Sequence, residues 1–262
     1  MLCFPQLLTG AVSQFPGRKG IERRTVVNEA EDGRTVKLGD AAASELEWVL
    51  ELKGLTDSEW EAIEELFEAV EGRLGTFTFL DPFGNLLSWS ENLSAAVWER
   101  TEGVSIAKGH EDPLGGFGAC AAMNVGAGEG KVSQVLAAPG WYGYCLSVYA
   151  RSAEPGAVKL FVSTPSAAVE KAAAIGPAWR RVELSANLHA ADETVEFGAR
   201  IAPGSAVELF GFQAEPQVGP SKYKKTTSRG GVHCAWFAQD ELVRIAHGVN
   251  DNACTVRIRV RQ

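Results

Sequence analysis

The feature that most constrains this chain is a strand–helix–strand unit that is interrupted before its next strand. Residues 45–83 alternate polar and apolar side chains, pass through one acidic helical segment and return to an aromatic-rich strand that ends at Asp81-Pro82. The strand expected to follow resumes only near His233, as HCAWFAQDELVRIAHG and then CTVRIRV. One domain is therefore predicted to be inserted into another.

The two predicted domains differ in composition. Residues 1–84 with 232–262 form the discontinuous domain, which is mostly β with one helix, whereas residues 85–231 contain short β runs, Gly and Pro turns and no helical pattern. A chain of 262 residues is long enough for two domains of ordinary size. The predicted fold class is mainly β: a β-sandwich or barrel with one packed helix, interrupted by an inserted β jelly-roll domain.

Strand signals dominate the first part of the chain. Residues 4–16 are predicted as a first strand, and the segments 23–28 and 34–38 flank Glu31-Asp32-Gly33, an Asp-Gly step that is typical of a tight hairpin. Strict alternation over residues 46–53 predicts a strand with one buried face.

One helix is predicted between Thr56 and Gly72. Thr56 is an N-cap and Glu59 completes a capping box, while Gly72 is a C-terminal stop. The apolar stripe consists of Trp60, Ile63, Phe67 and Val70. The opposite face is acidic, with Asp57, Glu61, Glu64, Glu65, Glu68 and Glu71. Two interpretations stay open: a solvated face, or a surface that meets a basic partner such as the Arg-rich strands of a neighbouring copy.

The inserted block predicts a sandwich or jelly roll, because its short strands follow one another at close spacing. The candidate strands are 104–107, 120–125, 131–136, 142–152, 158–164, 179–188, 194–201 and 207–215. Beyond a polar link at 222–231, further strands are predicted at 241–245 and 254–260, with a turn at 250–252. The last strand alternates apolar residues with Arg257, Arg259 and Arg261.

Charge and cysteine content argue against several classes of binding partner, namely nucleic acids, anionic membranes and metal ions. A net charge of −8 argues against nucleic-acid specificity and against binding to anionic membranes. No apolar run is long enough for membrane insertion, and the N-terminus lacks the basic region of a signal peptide. The five cysteines lack metal-ligand spacing. One bridge, Cys120–Cys145 or Cys234–Cys254, stays open, while burial as small apolar side chains is the favoured interpretation.

No catalytic motif is present in the sequence. The four histidines (His110, His189, His233 and His247) lie in no hydrolase or metalloprotease pattern, and no carboxylate pair is singled out for glycoside hydrolysis. The chain is predicted to be no enzyme and to use no metal or cofactor. For sugar binding the candidates are Trp141 and Tyr142, exposed aromatics expected in the loop after Pro139-Gly140. Trp89, Trp98 and Trp179 are expected in the core.

The discontinuous part resembles the distal-tail or minor tail proteins of long-tailed phages and prophages. The matching blocks run from Trp48 to Pro82 and from Trp236 to Val260, with Trp236 where the family commonly has Arg. The resemblance covers roughly half of the chain. It implies a β-sandwich or small barrel with a helix packed across it, assembled into a ring, usually hexameric, that extends the tail tube.

The inserted part resembles carbohydrate-binding-module-like jelly rolls of phage tail proteins. The similarity rests on NLLSWSENLSAAVWER at Asn85–Arg100, YCLSVYARS at Tyr144–Ser152, PAWRRV at Pro177–Val182 and VELFGFQAE at Val207–Glu215 with its SKYKKT continuation. These patches imply the fold and leave open whether sugar binding is retained.

The predicted function is thus a structural component of a phage or phage-like tail, at its distal ring, with the β-sandwich module serving decoration or host-surface attachment. Its partners are other copies, tail-tube and tail-tip proteins and a host-surface glycan, and its place is the virion tail, assembled in the bacterial cytoplasm. The predicted assembly interface joins Glu61, Glu64, Glu65 and Glu68 to Arg257 and Arg259. The alternatives are a free, monomeric glycan-binding adhesin and a polysaccharide hydrolase.

Overall fold

The computed structural model describes residues 1–261, and the side chains of Ala41 and Ala42 lie outside that description. The fold is mainly β, which confirms the predicted class, and over the described residues it has sixteen strands and one helix, α1 at Asp57–Ala69. No helix in residues 1–261 has the length and apolar character needed to cross a membrane. The strands are β1 Gly17–Glu29, β2 Thr35–Leu55, β3 Phe77–Leu80, β4 Glu99–Arg100, β5 Val104–His110, β6 Ala119–Asn124, β7 Gly130–Leu136, β8 Gly143–Arg151, β9 Gly156–Ser163, β10 Ala168–Ile175, β11 Arg180–Asn187, β12 Val195–Ile201, β13 Ala206–Glu215, β14 Val232–Phe237, β15 Ile245–Gly248 and β16 Asp251–Arg261.

The chain divides into two compact units. Unit 1 consists of Met1–Leu8, Ser13–Phe79 and His233–Gln262, and unit 2 of Thr9–Val12 and Leu80–Val232. Residues 9–12 thus group with unit 2, although they precede the hairpin in sequence. The sequence had placed its boundaries after residue 84 and before residue 232.

Unit 1 contains one sheet in the order β1-β2-β16-β14-β3, with β15 added on β16. The pairs β1–β2, β2–β16, β16–β14 and β16–β15 are antiparallel. The C-terminal strand β16 pairs with β2, so that Ile258 lies opposite Trp48. Trp48 is fully buried and its ring meets Phe79 edge-on, with the ring centroids 5.1 Å apart. The strands missing after residue 83 are therefore supplied by β14 and β16, near the end of the sequence, which lie in the same sheet as β2 and β3.

Helix α1 has the predicted start. Thr56 Oγ1 accepts from the Glu59 N–H at 3.2 Å, and Glu59 Oε2 accepts from the Thr56 N–H at 2.8 Å, which is the capping box. Burial raises the pKa of Glu59, but the hydrogen bonds from Thr56 and from the Leu8 N–H outweigh it and hold that pKa below its usual value. Trp60 and Ile63 face the core.

Two strand predictions for unit 1 were wrong. Residues 4–16 form no strand, because Pro5 and Pro16 lack the N–H donors that a ladder needs. An isolated bridge lies just before them, at Cys3. Apolar residues of the segment 4–16 are buried without forming a strand, among them Phe4, Leu7 and Val12. The strand predicted at 241–245 begins only at Ile245. Conversely, the two hairpin strands extend well beyond 23–28 and 34–38, and Gly33 takes the left-handed conformation that the turn requires.

Unit 2 is a sandwich of two five-stranded antiparallel sheets, as predicted. One sheet has the order β10-β9-β12-β7-β4 and the other β11-β8-β13-β6-β5. Their inner faces meet in an apolar core, where the rings of Tyr144 and Phe197 pack edge-on at 5.2 Å. The sequence missed β4 and β10. The β10 segment, AVEKAAAI, lacks the β-branched and aromatic alternation that marks the other strands.

Candidate functional site

The outer face of the sheet containing β8 has one covered end and one open end. Along β8, Tyr144, Leu146 and Val148 point into the sandwich, so Tyr149 and Arg151 point outward by strand alternation. Residues 216–227 lie across the end near Glu215. The strand ends around Tyr149 and Arg151 remain open, with Tyr149 and Arg151 only partly buried.

The covered end is held by a buried carboxylate. Glu215 is 1% exposed and accepts hydrogen bonds from Gln213, the Ser221 N–H and the Ser221 hydroxyl, with Lys224 Nζ at 3.0 Å. Burial raises the pKa of Glu215, but these donors and the lysine charge outweigh it and hold that pKa below its usual value. This network is structural, because it fixes the return segment onto the sheet.

The open end carries four side chains in a row, which we call the Trp179–His110 row. The guanidinium carbon of Arg151 lies 4.7 Å from the centroid of the Trp179 ring. Arg151 Nε donates to Glu208 Oε2, and His110 Nδ1 lies 3.1 Å from Glu208 Oε1. The four groups come from different parts of one sheet. The indole precedes β11, the guanidinium lies on β8, the carboxylate on β13 and the imidazole on β5.

A second group of side chains borders this row. Arg181 lies 5.6 Å above the Tyr149 ring and donates to the Ser221 carbonyl at 2.6 Å and the Ser147 hydroxyl at 3.0 Å. The rings of Tyr149, Phe210 and Tyr223 follow one another at centroid distances of 6.2 and 5.4 Å. The charged groups of this face and His110 are each held by a neighbour, whereas the indole nitrogen of Trp179 is buried without a hydrogen-bond partner among the described residues. The charged part of the face is therefore preorganised rather than flexible.

Such a face has the chemistry of carbohydrate recognition. A flat aromatic ring offers an apolar surface, and anchored guanidinium, carboxylate and imidazole groups offer donors and acceptors in fixed directions. A pyranose ring presents the same combination, with an apolar C–H face and a rim of hydroxyls. The row therefore offers both kinds of contact within one surface.

The sequence-predicted sugar residues lie elsewhere in unit 2, in the loop before β8. Trp141 is 41% exposed, whereas Tyr142 is 3% exposed and meets the Trp141 ring edge-on at 6.1 Å. Gly140 holds this loop against a neighbouring one, since its N–H donates to the Asp192 carbonyl at 2.8 Å. Trp141 is thus the exposed member of the predicted pair, and it is not part of the row.

The row itself was missed. Trp89, Trp98 and Trp179 were expected in the core, and only Trp98 is buried. Trp89 is partly exposed, and Trp179 is half-buried under Arg151. One available signal was the alternation of YGYCLSVYAR, which puts Tyr149 and Arg151 on one face. Their partners could not be read from the sequence, because His110 and Glu208 are 98 residues apart.

The predicted assembly residues lie in unit 1. The helix carboxylates are exposed, as is Arg257. Arg259, in contrast, lies among three carboxylates of its own sheet, with Nε 3.2 Å from Glu47, Nη1 3.2 Å from Glu45 and Nη2 3.4 Å from Glu22. Partial burial lowers the pKa of Arg259, but these carboxylates outweigh it and raise that pKa above its usual value. Its charge is therefore already matched within the chain.

No protein-family model matches the chain, and no curated protein sequence matches it. Solved structures that resemble part of it include an enzymatically active domain of tailspike protein 4 from bacteriophage CBA120, at 13% identity and a TM-score of 0.41 over 52% of this chain. That match spans 22% of the tailspike domain. A second similar structure is the C-terminal family 22 carbohydrate-binding module of Clostridium thermocellum Xyn10B, at 14% identity and a TM-score of 0.42 over 54% of this chain and 99% of the module. The xylan-binding domain of Paenibacillus barcinonensis Xyn10C matches at 16% identity and a TM-score of 0.42 over 52% of this chain and 96% of the domain.

Proposed function

We propose that the protein is a component of a phage or phage-like tail whose unit 2 binds a host-surface glycan. The single observation that carries the glycan part is the position of Arg151, held between the Trp179 ring and the Glu208 carboxylate. The tail part rests on the sequence resemblance of the discontinuous domain. Binding rather than hydrolysis is assigned to the row, because Glu208 is engaged by both Arg151 and His110.

The row supplies two kinds of contact to one sugar. The part of the Trp179 ring that Arg151 leaves exposed provides apolar contact area, and Arg151 and His110 supply N–H donors beside the Glu208 acceptor oxygens. Ordering these groups costs little on binding, because each is already anchored in the free protein. Neutral or weakly charged glycans fit this site, since the arginine and glutamate charges are paired with each other.

Unit 1 has the tail-assembly role in this proposal, with other copies and the tail-tube and tail-tip proteins as partners, and with the virion tail as its location. The alternative, a free adhesin, makes a different prediction, because an adhesin binds glycan as a monomer. Negative-stain images of the purified chain distinguish the two. Closed rings or short stacked tubes support a tail component, and dispersed monomers that bind glycan support the adhesin.

The glycan proposal is tested with the full chain on an array of neutral and weakly charged bacterial capsular and lipopolysaccharide glycans, followed by calorimetric titration of each hit. Trp179→Ala is expected to weaken binding by about tenfold or more, as truncation of a central aromatic anchor does. Trp141→Ala is the control, at an exposed tryptophan outside the row, and it should retain wild-type affinity. Loss of binding in Trp141→Ala with none in Trp179→Ala would move the site to the loop. No hit from the wild type overturns the glycan proposal.

A further inference from the structure

The hairpin formed by β1 and β2 continues beyond the sheet of unit 1 as a two-stranded arm, residues 22–40. All its residues are exposed on both faces of the ribbon. A two-stranded ribbon with no third strand and no packed face is marginally stable in water. The contacts within the arm are therefore too few to keep it folded as a hairpin without a further partner.

One face of the arm is apolar between two arginines. Val26 lies directly opposite Leu38, and Val36 follows on the same face opposite Asn28. These three apolar side chains are 44%, 57% and 52% exposed. Arg24, opposite Asp40, begins this face, and alternation places Arg34 at its far end, where Arg34 Nε lies 3.2 Å from Asp32 Oδ2 in an exposed ion pair. From Arg24 to Arg34 the face is roughly 20 Å long at about 3.3 Å per residue.

The helix α1 presents the complementary surface. Glu61, Glu64, Glu65 and Glu68 are all exposed, and no lysine or arginine lies between Lys53 and Arg73. Thirteen helical residues span roughly 20 Å, the length of the arm face. Leu74 lies in the turn that follows the helix, where its N–H donates to the Glu71 carbonyl, and its side chain is 78% exposed. The surface thus combines carboxylates with an apolar group at one end.

We infer that the arm of one copy docks on the α1 surface of a second copy. Arginine pairs with carboxylates through fixed N–H donors, and the Val26, Val36 and Leu38 stripe covers apolar area that includes Leu74. The two surfaces belong to different parts of the same chain, so the contact is head-to-tail and is repeated by every copy. The acidic helix is thereby matched by the arm, whose Arg34–Asp32 pair is solvent-exposed and can exchange partners at little cost, rather than by Arg259, which three carboxylates of its own sheet surround.

This inference rests on the proposed assembly role of unit 1 and is independent of glycan binding. It is tested by light scattering of the full chain up to about 100 μM at low salt, where contacts of micromolar affinity are populated. The wild type is expected to associate. Val26→Ser with Leu38→Ser is expected to weaken association about tenfold or more, because it removes the apolar anchors of the contact.

The matched control is Val125→Ser, at an apolar residue of unit 2 that is 71% exposed. It should associate like the wild type, and all variants should melt within a few degrees of it, because surface changes alter stability little. Protection of the arm amides from hydrogen exchange should rise with protein concentration in the wild type and stay low in the Val26→Ser, Leu38→Ser variant.

A charge swap identifies the partner surface. Arg24→Glu with Arg34→Glu should weaken association, and so should Glu64→Lys with Glu65→Lys, whereas an equimolar mixture of these two variants should associate. A chain that stays monomeric overturns the inference, as does association that neither pair of substitutions weakens. The latter result leaves a tail role intact through another surface. A chain that associates through the arm but binds no glycan overturns only the glycan proposal.

Discussion

Arg151 and Trp179 form a stacked pair on the open end of one sheet of unit 2, with the guanidinium carbon 4.7 Å from the ring centroid. The pair comes from β8 and from the residue just before β11, which are neighbours in the sheet. A guanidinium over an indole is held by attraction to the ring electrons, and this contact leaves its N–H groups free to point along the plane. Two of them reach Glu208 and the Glu111 carbonyl.

Replacement of Arg151 by lysine tests the stack separately from the charge. An ammonium group keeps the charge but cannot lie flat on the indole while donating sideways to Glu208. We expect Arg151→Lys to lower glycan affinity about tenfold with a small change in melting temperature. The measurement is calorimetric titration. Arg180→Lys, at the exposed neighbour in β11, is the control and should bind normally. Equal affinity of both variants and the wild type would remove Arg151 from the site.

Stability of unit 2 should fall in acid. Hydrogen bonds and lysine charges outweigh burial and hold the pKa of Glu215 and of Glu196 below the usual 4.5. A carboxyl with a lowered folded-state pKa contributes stability that is present above its unfolded pKa and is lost as pH falls through the folded one. We expect a melting temperature that changes little above about pH 6 and declines below about pH 4.5.

Glu215→Gln isolates one part of this acid dependence. The neutral amide cannot accept from all the present donors, so the variant should lose about 1–3 kcal/mol at neutral pH. It should also lose less stability than the wild type between neutral pH and about pH 3.5, because one titrating group is gone. Urea denaturation at both pH values measures this. Parallel pH profiles for wild type and variant would contradict the assignment.

The helix could be predicted from residues that are close together in the sequence, whereas the Trp179–His110 row depends on pairing between strands that are far apart in the sequence. Thr56, Glu59 and the apolar stripe lie within a few turns of each other, so the sequence alone marks where α1 starts and what it buries. Most strands of unit 2 were likewise predicted from their alternation. The Trp179–His110 row, however, exists only because β8 pairs with both β11 and β13, and no local pattern sets that order.

The reactivity of the thiols follows from their burial. Burial raises the pKa of Cys145 to about 12 and that of Cys254 to about 11, so neither forms thiolate near neutral pH. The five cysteines all lie within the described residues and form no disulfide there, and Cys234 is exposed. We expect Cys234 to react first with a maleimide in the native protein, and Cys145 and Cys254 only after unfolding. Cys234→Ser should abolish the fast phase, and persistence of that phase would contradict the assignment.

Gly211 is required where the return segment crosses the sheet. Its φ of +68° lies in the left-handed region, at the irregularity of β13 between Phe210 and Gln213. A Cβ there would lie 2.9 Å from Cε2 of Tyr223. The Tyr223 hydroxyl donates to Glu91 Oε1 at 3.0 Å, so displacement of the ring would also disturb that hydrogen bond.

Gly204 provides the matched control, because it has the same φ of +68° and nothing within 4 Å of its Cβ position. Gly204→Ala is therefore expected to lose about 1 kcal/mol from backbone strain alone. Gly211→Ala should lose about 1–3 kcal/mol more, since the tyrosine ring must also move. Urea denaturation of both variants gives the difference. Equal losses would mean that the Tyr223 ring yields without cost and that only the backbone conformation demands glycine at this crossing.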